Sequence, residues 1–579
     1  MTQPMIPVGI SDFEKIRRNG YCYIDKSGLI ADLVEKEPAE VTLITRPRRF
    51  GKTLAMHMLA CFFDLRRDSR DLFRGLKITE NAQLCRDWMN QYPTIFFTFK
   101  NVDGLSFSTA YGQLAYEISR LYEDHAYLLD SDRISSSEKV LFRKLRDGNA
   151  DEIALSRSLQ LLSQLLGKHY EKKTILLLDE YDVPLAKASA HGYYDRMLEI
   201  VRSMLTTSLK DNYSLRFALI TGCLRISKES IFTGTNNFVS DSISSSGFRE
   251  CFGFTQENVD RLLQDTGNEA HADAIKTWYD GYHFGSADVY CPWDVMNYLR
   301  DLQTNPKAQP ISYWRNTSDN AIIRSFIDHA GASITGKLET LLAGGSIRQR
   351  IEENLTYDFL HSSEDNLWSI LYLTGYLTGV KERKPQAICP DRAIDSPDKV
   401  PPASNEILDL MIPNAEIREI FQSTIIKWFD DSAKGWDRHP LFTAIWAGDS
   451  QTATKELNKL LRRTISYHDY KEDFYHAFLA GIFTGAGYIV ESNREHGEGR
   501  SDVLVHSLAE GQVAIFEIKR SQSAESLADD CQKALQQIDA RMYAREYEDS
   551  CDKILCYGIS FFKKRCLAEV KTLQTLGGY

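Results

Sequence analysis

The chain has 579 residues, 43% hydrophobic and 26% charged, an ordinary balance for a globular protein and too long for one core. Acids outnumber bases by 80 to 69, and the formal net charge of −11 excludes a generally basic chain, so any contact with DNA or RNA must come from a local basic patch. The 11 cysteines are odd in number and form no C-x-x-C, with Cys551 and Cys556 the closest pair, which argues against a disulfide framework or a zinc set and for reduced thiols in a cytoplasm.

At one domain per ~150 residues, roughly three or four domains are expected, and fewer if they are large. The opening "MTQPMIPVGISDFEKIRRNG" has no apolar h-region, so no signal peptide is expected. No apolar run approaches the ~20 residues that span a bilayer, so no membrane partner is expected either.

The first strong element is "VTLIT" (Val41–Thr45), a β-branched apolar run that reads as a buried parallel strand. "RPRRFGKT" follows, then "LAMHMLACFFD", where Leu54, Met58, Cys61 and Phe62 have helical spacing. Strand, loop and helix are the context that a phosphate-binding loop G-x-x-x-x-G-K-[ST] requires. Gly51, Lys52 and Thr53 fill its last three positions, while Arg46 stands where the first glycine is usual. Amides at the helix start point at phosphate oxygens, Gly51 allows close approach, Lys52 reaches the β- and γ-phosphates, and the Thr53 hydroxyl is a ligand for Mg²⁺. Arg46 cannot cheaply take a positive φ, and Pro47 pushes it towards an extended conformation, so the loop is expected to enter differently from the usual one. Arg46, Arg48 and Arg49 add positive charge that suits a triphosphate, and Arg46 and Arg49 are taken as nucleotide-binding candidates.

"TILLLDEYDVP" (174–184) is a buried strand ending in two acids. Asp179 would face the Mg²⁺ shell and Glu180 would orient the attacking water, the Walker B arrangement. "LRFALITGCLRI" (215–226) gives a third strand after the helical "DRMLEIVRSMLTTSL". Thr221 at its end is the candidate polar sensor, and Arg225 a candidate for the γ-phosphate of its own chain or of a neighbour in a homo-oligomer, although an arginine after a strand is more often a surface residue.

Several blocks in this order, "IPVGISDFEKIRRNGYCYIDKSGLI", "LITRPRRFGKTLAMHMLACFFD", "LLLDEYDVPL", "LITGCLRISKESIFTGTNNF" and "WYDGYHFG" with "VYCPWDVMNYL", resemble the prokaryotic AAA-ATPase-like domain family. R-P-R-R-F-G-K-T is similar to that family's own form of the loop. The resemblance implies an AAA+-related ATPase core that binds ATP and Mg²⁺ through Lys52, Thr53, Asp179 and Glu180, followed by a helical lid. It also suggests that "YIDK" (23–26) encloses the base.

From about residue 253 to 420 the chain reads as amphipathic helix rich in aromatics, more often core than a binding box. "LWSILYLTGYLTGVKE" and "EILDLMIP" look like two strands flanking an exposed, proline-rich loop, with a helix from Ala415. No H-E-x-x-H and no G-x-S-x-G occurs, which disfavours zinc peptidases and serine hydrolases.

Towards the end, "KEDFYHAFLAGIFTGAG" is a helix with one buried face. "YIVES", "SDVLVHS" and "QVAIFEIK" are strand-like, a helix is expected over about 524–547, and "KILCYGIS" closes an αβββαβ order. Asp502 opens the second strand, and period two puts Glu517 and Lys519 of E-I-K on one face of the third. Glu472 on the first helix is a further candidate ligand. The blocks "EDFYHAFLAGIF", "ESNREHGEGRSDVLV", "AIFEIKR" and "ALQQIDARMYA" resemble the PD-(D/E)XK nuclease superfamily, in the version fused to AAA-ATPase-like domains. The resemblance implies Asp502 and Glu517 as Mg²⁺ ligands, Lys519 as the residue that positions or activates water, and Gln537 as a substrate support. Ser501 stands before the aspartate where the pattern has proline. Arg494, Arg500, Lys519, Arg520 and Lys533 could form a phosphate track.

The expected class is α/β: a P-loop NTPase, AAA-like parallel-sheet domain (1–252), a mostly helical lid or connector with a hairpin (253–440), and a restriction-endonuclease-like domain (441–579). The expected function is a cytoplasmic ATPase coupled to a Mg²⁺-dependent nuclease-like domain acting on DNA or RNA. The alternatives are a signalling or defence ATPase, or a nucleotide-dependent scaffold, whose C-terminal fold only binds nucleic acid or a protein.

Overall fold

In the computed structural model of the protein, the apolar runs of the first half become buried parallel strands: β1 (Val41–Thr45), β2 (Thr94–Thr98), β3 (Thr174–Asp179), β4 (Leu215–Gly222) and β5 (Phe238–Asp241). The structure describes the chain except residues 1–3, 37–38, 226–237, 246, 315–331, 354, 356–362, 381–405, 434–438, 465–471, 485, 487, 493–494, 497–498, 508–510 and 575–579. The chain divides into two compact units, Met1–Tyr313 with Arg348–Glu416, and Trp314–Ile347 with Ile417–Tyr579.

The sheet of the first unit has the order β2-β3-β4-β1-β5, and every neighbouring pair is parallel. Every residue of β1 and β3 is buried, as a sheet covered on both faces demands. The order separates β1, which feeds the phosphate loop, from β3, which ends in Asp179, and lays β4 between them. In register, Thr45 lies beside Gly222 and Leu178 beside Ile220, so three central strands finish in one line. Ligands of open α/β sheets gather at such carboxyl ends.

Residues 254–302, expected in the connector, pack inside this unit. Phe254, Val259, Leu262, Tyr279, Tyr298 and Leu299 form one core with Ile6 and with the half-buried Val8, Cys22 and Ile24 of the opening segment. A short hairpin, β6 (Tyr282–Phe284) and β7 (Ala287–Val289), is built from "YHFGSADV". A three-stranded sheet of β8 (Ile347–Ile351), β9 (Thr378–Gly379) and β10 (Glu406–Met411) has the order β8-β10-β9.

Here one expectation is corrected. "LWSILYL" is not a strand but part of the helix Glu364–Leu373, which begins where the Ser363 side chain accepts the amide of Asn366. Only Thr378–Gly379 is extended and pairs antiparallel with β10. A short, wholly apolar run carries no period that separates strand from buried helix, and the cap decides. The helix from Ala415 forms, whereas the proline-rich loop lies outside the described residues.

The second unit carries a five-stranded mixed sheet, β11 (Ile489–Ser492), β14 (Val503–Ser507), β15 (Gln512–Arg520), β16 (Lys553–Phe562) and β17 (Arg565–Gln574), adjacent in that order. A small hairpin, β12 (Glu495–His496) with β13 (Gly499–Arg500), stands apart from it. All pairs are antiparallel except β15–β16, and a parallel pair needs a crossover. The crossover is the helix Leu527–Ala540, which stops short of the expected end and is followed by Met542 at φ 54. The expected αβββαβ order is present, and β17 adds an edge strand beyond it.

Candidate functional site

Gly51 takes φ 86 and caps the helix Lys52–Phe63, whose first turn presents Lys52 and Thr53. The left-handed turn of the loop therefore falls on Gly51 and on Arg49 (φ 72), not on Arg46. The Lys52 ammonium is held inside the loop, donating to the carbonyls of Arg46 and Pro47 at 2.9 Å each, with the Cys223 thiol 3.7 Å away.

Asp179, wholly buried at the end of β3, is gripped by hydroxyls on both oxygens. Thr221 Oγ1 donates to Oδ1 at 2.7 Å, Thr53 Oγ1 to Oδ2 at 2.9 Å, and Thr98 Oγ1 approaches Oδ2 at 3.4 Å. The strand order explains this, because β4 brings Thr221 between the loop and β3, and β2 brings Thr98 from the other side. A hydroxyl and a carboxylate facing each other are hard oxygen donors, a set that suits Mg²⁺ completed by water and phosphate. Glu180, next along, sits at φ 54, and burial, then the charge of Asp179, push its carboxyl above the usual range, while Lys52 opposes them. The turn is clamped: Tyr181 donates its amide to Thr221 and its hydroxyl to Leu224, and Asp182 Oδ2 accepts the amides of Cys223 and Leu224 at 2.9 and 3.0 Å. Gly222 has to be glycine, since a Cβ there would meet the Tyr181 ring at 2.7 Å.

Gly51, Lys52, Thr53 and Glu180 open on a cavity of about 320 Å³, which Asp179 and Thr221 do not themselves line. Its polar and loop lining comes from Arg49, Gly51, Lys52, Thr53, Glu180 and Lys100. Its apolar lining comes from Val8, Ile10, Ile24, Phe254 and Met296, with Tyr23 and Lys26 of "YIDK" also in the wall. Burial lowers the Lys26 amine to about 8, and it donates to Glu250 O and Asn258 Oδ1. Arg49 lies over Trp293 at 5.5 Å, and burial lowers its pKa. Sequence reasoning missed Val8, Ile10, Lys100, Trp293 and Met296. The aromatic and proline-bearing "CPWDV" was the available signal, though stacked aromatics alone read as core.

Two nucleotide-site candidates are placed elsewhere. Arg46 does not line the cavity. Its fully buried guanidinium donates to Thr45 O at 2.9 Å and Asp241 O at 3.1 Å and pairs with the Asp241 carboxylate, because an arginine turned inward needs an anion. Arg225 does not line the cavity either, and its buried Nε has no hydrogen-bond partner among the described residues.

In the second unit, Val503 pairs with Phe516, so the next antiparallel step outward sets Asp502 opposite Glu517. Asp502 Oδ2 accepts the Ile518 amide at 2.7 Å, and Lys519 Nζ reaches Glu517 Oε1 at 2.9 Å. Glu517 is 1% exposed, whereas the Lys519 side chain is 24% exposed. The structure thus brings Asp502, Glu517 and Lys519 together. Gln537 hydrogen-bonds buried Tyr543, whose hydroxyl is raised by burial first and by Glu517 and Asp502 in addition. Two carboxylates side by side fit a hard cation. Among the described residues no group of three or more His, Cys, Asp or Glu forms a metal cage. Glu472 is the first residue of the helix Glu472–Thr484, but its side chain lies outside the described residues, as do Arg494 and the Arg500 side chain. Lys533 is paired with Asp530 at 2.8 Å.

Residues 7–232 match the family model described as a predicted AAA-ATPase, and residues 470–571 match that of the PD-(D/E)XK nuclease superfamily. An uncharacterized protein in the vnfD 5′ region of Azotobacter chroococcum mcd 1 is 26% identical over 583 residues, across the whole of both chains. No described helix is long and apolar enough to cross a membrane.

Proposed function

For a chain that carries a predicted AAA-ATPase-like domain at residues 7–232 and a PD-(D/E)XK nuclease superfamily domain at residues 470–571, we propose ATP hydrolysis in the first and Mg²⁺-dependent cleavage of nucleic acid in the second. The observation that carries this reading is the Asp179 carboxylate held between Thr53 and Thr221 at the mouth of the phosphate loop. Lys52 and the amides at the helix start bind the β- and γ-phosphates, and the apolar end of the cavity receives the base. Thr53 and Asp179 would hold Mg²⁺, which when bound would spread the phosphate charge. Glu180 orients a water and takes its proton. The water oxygen bonds to the γ-phosphorus as the bond to the β–γ bridging oxygen breaks, and ADP leaves with that oxygen.

In the C-terminal domain, Asp502 and Glu517 would hold a divalent cation, which when bound stabilises pentavalent phosphate charge. Lys519 positions the attacking water, and Gln537 with Tyr543 steadies the face on which substrate lies. Nucleotide state, transmitted through the connector, gates that domain, and free thiols among the described cysteines accord with action in a cytoplasm.

A second reading is favoured by the tying of Lys519 to Glu517 and of Lys533 to Asp530, which leaves less free positive charge for a polynucleotide. In it, the C-terminal fold binds nucleic acid or a protein without cleaving. Purified protein incubated with labelled single- and double-stranded DNA and RNA, with and without ATP and with Mg²⁺ or Mn²⁺, separates the two. Cleavage that depends on metal and on Lys519 supports the first reading. Binding without cleavage supports the second, and nucleotide that alters neither binding nor cleavage removes the coupling.

A further inference from the structure

A phosphate loop usually begins with glycine because the backbone must turn tightly there. This loop begins with one of the largest fully buried side chains in the molecule, Arg46. What it touches suggests what replaces the glycine. The Arg46 amide donates to Gly222 O at 3.1 Å, tying the end of β1 to the end of β4. Its guanidinium reaches across to the end of β5, binding both the carbonyl and the carboxylate of Asp241. Phe252 and Phe284 lie against the guanidinium, 5.7 and 5.3 Å from its carbon. The Arg46 carbonyl, fixed by these contacts, is one of the two that receive the Lys52 ammonium.

Asp241 extends the tie. Its second oxygen accepts the Gly247 amide at 3.1 Å, which holds the start of the 247–253 segment. The far end of that segment returns to the loop, where the Gly253 amide donates to Phe50 O at 3.3 Å. Cys251 and Gly253 then form part of the cavity wall. The segment is thus tied at one end to Asp241, the partner of Arg46, and at the other to the loop itself.

We infer that Arg46, through Asp241, is the positioning residue that sets the phosphate loop where other loops use a glycine, and that the same pair anchors the 247–253 segment, of which Cys251 and Gly253 line the nucleotide cavity. This rests on the proposed nucleotide site and concerns phosphate recognition first, because Arg46 itself is part of the loop and its carbonyl holds Lys52.

The test is calorimetric titration with Mg·ATP, Mg·ADP and AMP. Wild type is compared with Asp241→Asn and with the double variant Arg46→Met/Asp241→Leu. The double variant replaces the buried pair with apolar side chains, an exchange that is often neutral to stability. Affinity for ATP and ADP is expected to fall by about ten- to a hundredfold, a loss of the size produced by a displaced charged hydrogen bond. Affinity for AMP, which has no β-phosphate, is expected to change by less than about threefold. A merely structural role would weaken all three nucleotides alike, and that result, or an unchanged ATP affinity in the double variant, overturns the inference. Hydrogen exchange on wild-type protein gives a readout that needs no variant: Mg·ADP, but not AMP, should slow exchange at the Gly247 amide, and equal exchange with both overturns it. Wild type that binds ATP no better than Lys52→Ala overturns the nucleotide reading itself, and this inference with it.

Discussion

The two acid-bearing sites hold their carboxylates by opposite means. Asp179 is held by neutral hydroxyls from two strand ends, Thr98 and Thr221, and one helix start, Thr53, so its charge is oriented without being cancelled. Glu517 is held by an ammonium from its own strand, two residues away, and its charge is matched before any cation arrives. The first arrangement needs the sheet to be assembled, since its donors are scattered over the sequence. The second is local, because E-I-K on one strand suffices for the pair and only Asp502, the residue before β14, comes from elsewhere. A dispersed site depends on the fold and a local one on the strand, so substitutions should disturb them differently.

The sharpest way to break the comparison is Lys519→Ala, expected to abolish metal-dependent cleavage of labelled nucleic acid while ATP turnover stays within about twofold of wild type. Loss of turnover alongside cleavage would show that the sites are not separable. Next in size, Glu180→Gln should lower the ATPase kcat by roughly 10²- to 10⁴-fold with nucleotide affinity retained, as measured by steady-state phosphate release and by titration. Equal losses in affinity and kcat would place Glu180 in binding instead. Thr221→Val removes one hydroxyl from buried Asp179 and should cost about tenfold in kcat. An unchanged rate would mean that Thr53 alone orients the carboxylate. The smallest effect concerns pH. Burial and Asp179 raise the Glu180 carboxyl, so its ionised form is lost at a higher pH than for an exposed glutamate as the medium is acidified. The acid limb of the ATPase profile should lie above the usual carboxylate range and disappear from the residual activity of Glu180→Gln.

What was legible in the sequence follows the same division. Asp179 at the end of an apolar strand, Gly51-Lys52-Thr53 at a helix start and the E-I-K face are local patterns, and each was readable from period and position. Arg46 was not, because its partner Asp241 stands 195 residues away and nothing in R-P-R-R-F indicates which arginines turn inward. Of the three loop arginines, Arg46 is buried against that acid, Arg48 is exposed and Arg49 faces the cavity. The apolar lining of the cavity was hidden for the same reason, since Val8 and Met296 come to one cavity only after long-range packing. "LWSILYL" failed on period, and β17 escaped because "RCLAEVKTLQ" reads as polar until β16 supplies the neighbour it pairs with.

Phe50 stands one residue before Gly51, and its ring is wedged between Tyr282 and Phe284, 5.0 Å from each. The tip of the loop cannot swivel without pushing on that hairpin. A tryptophan substituted at this position would therefore be an intrinsic optical gauge, its emission reporting strain in the aromatic stack in real time as the loop engages or releases its load.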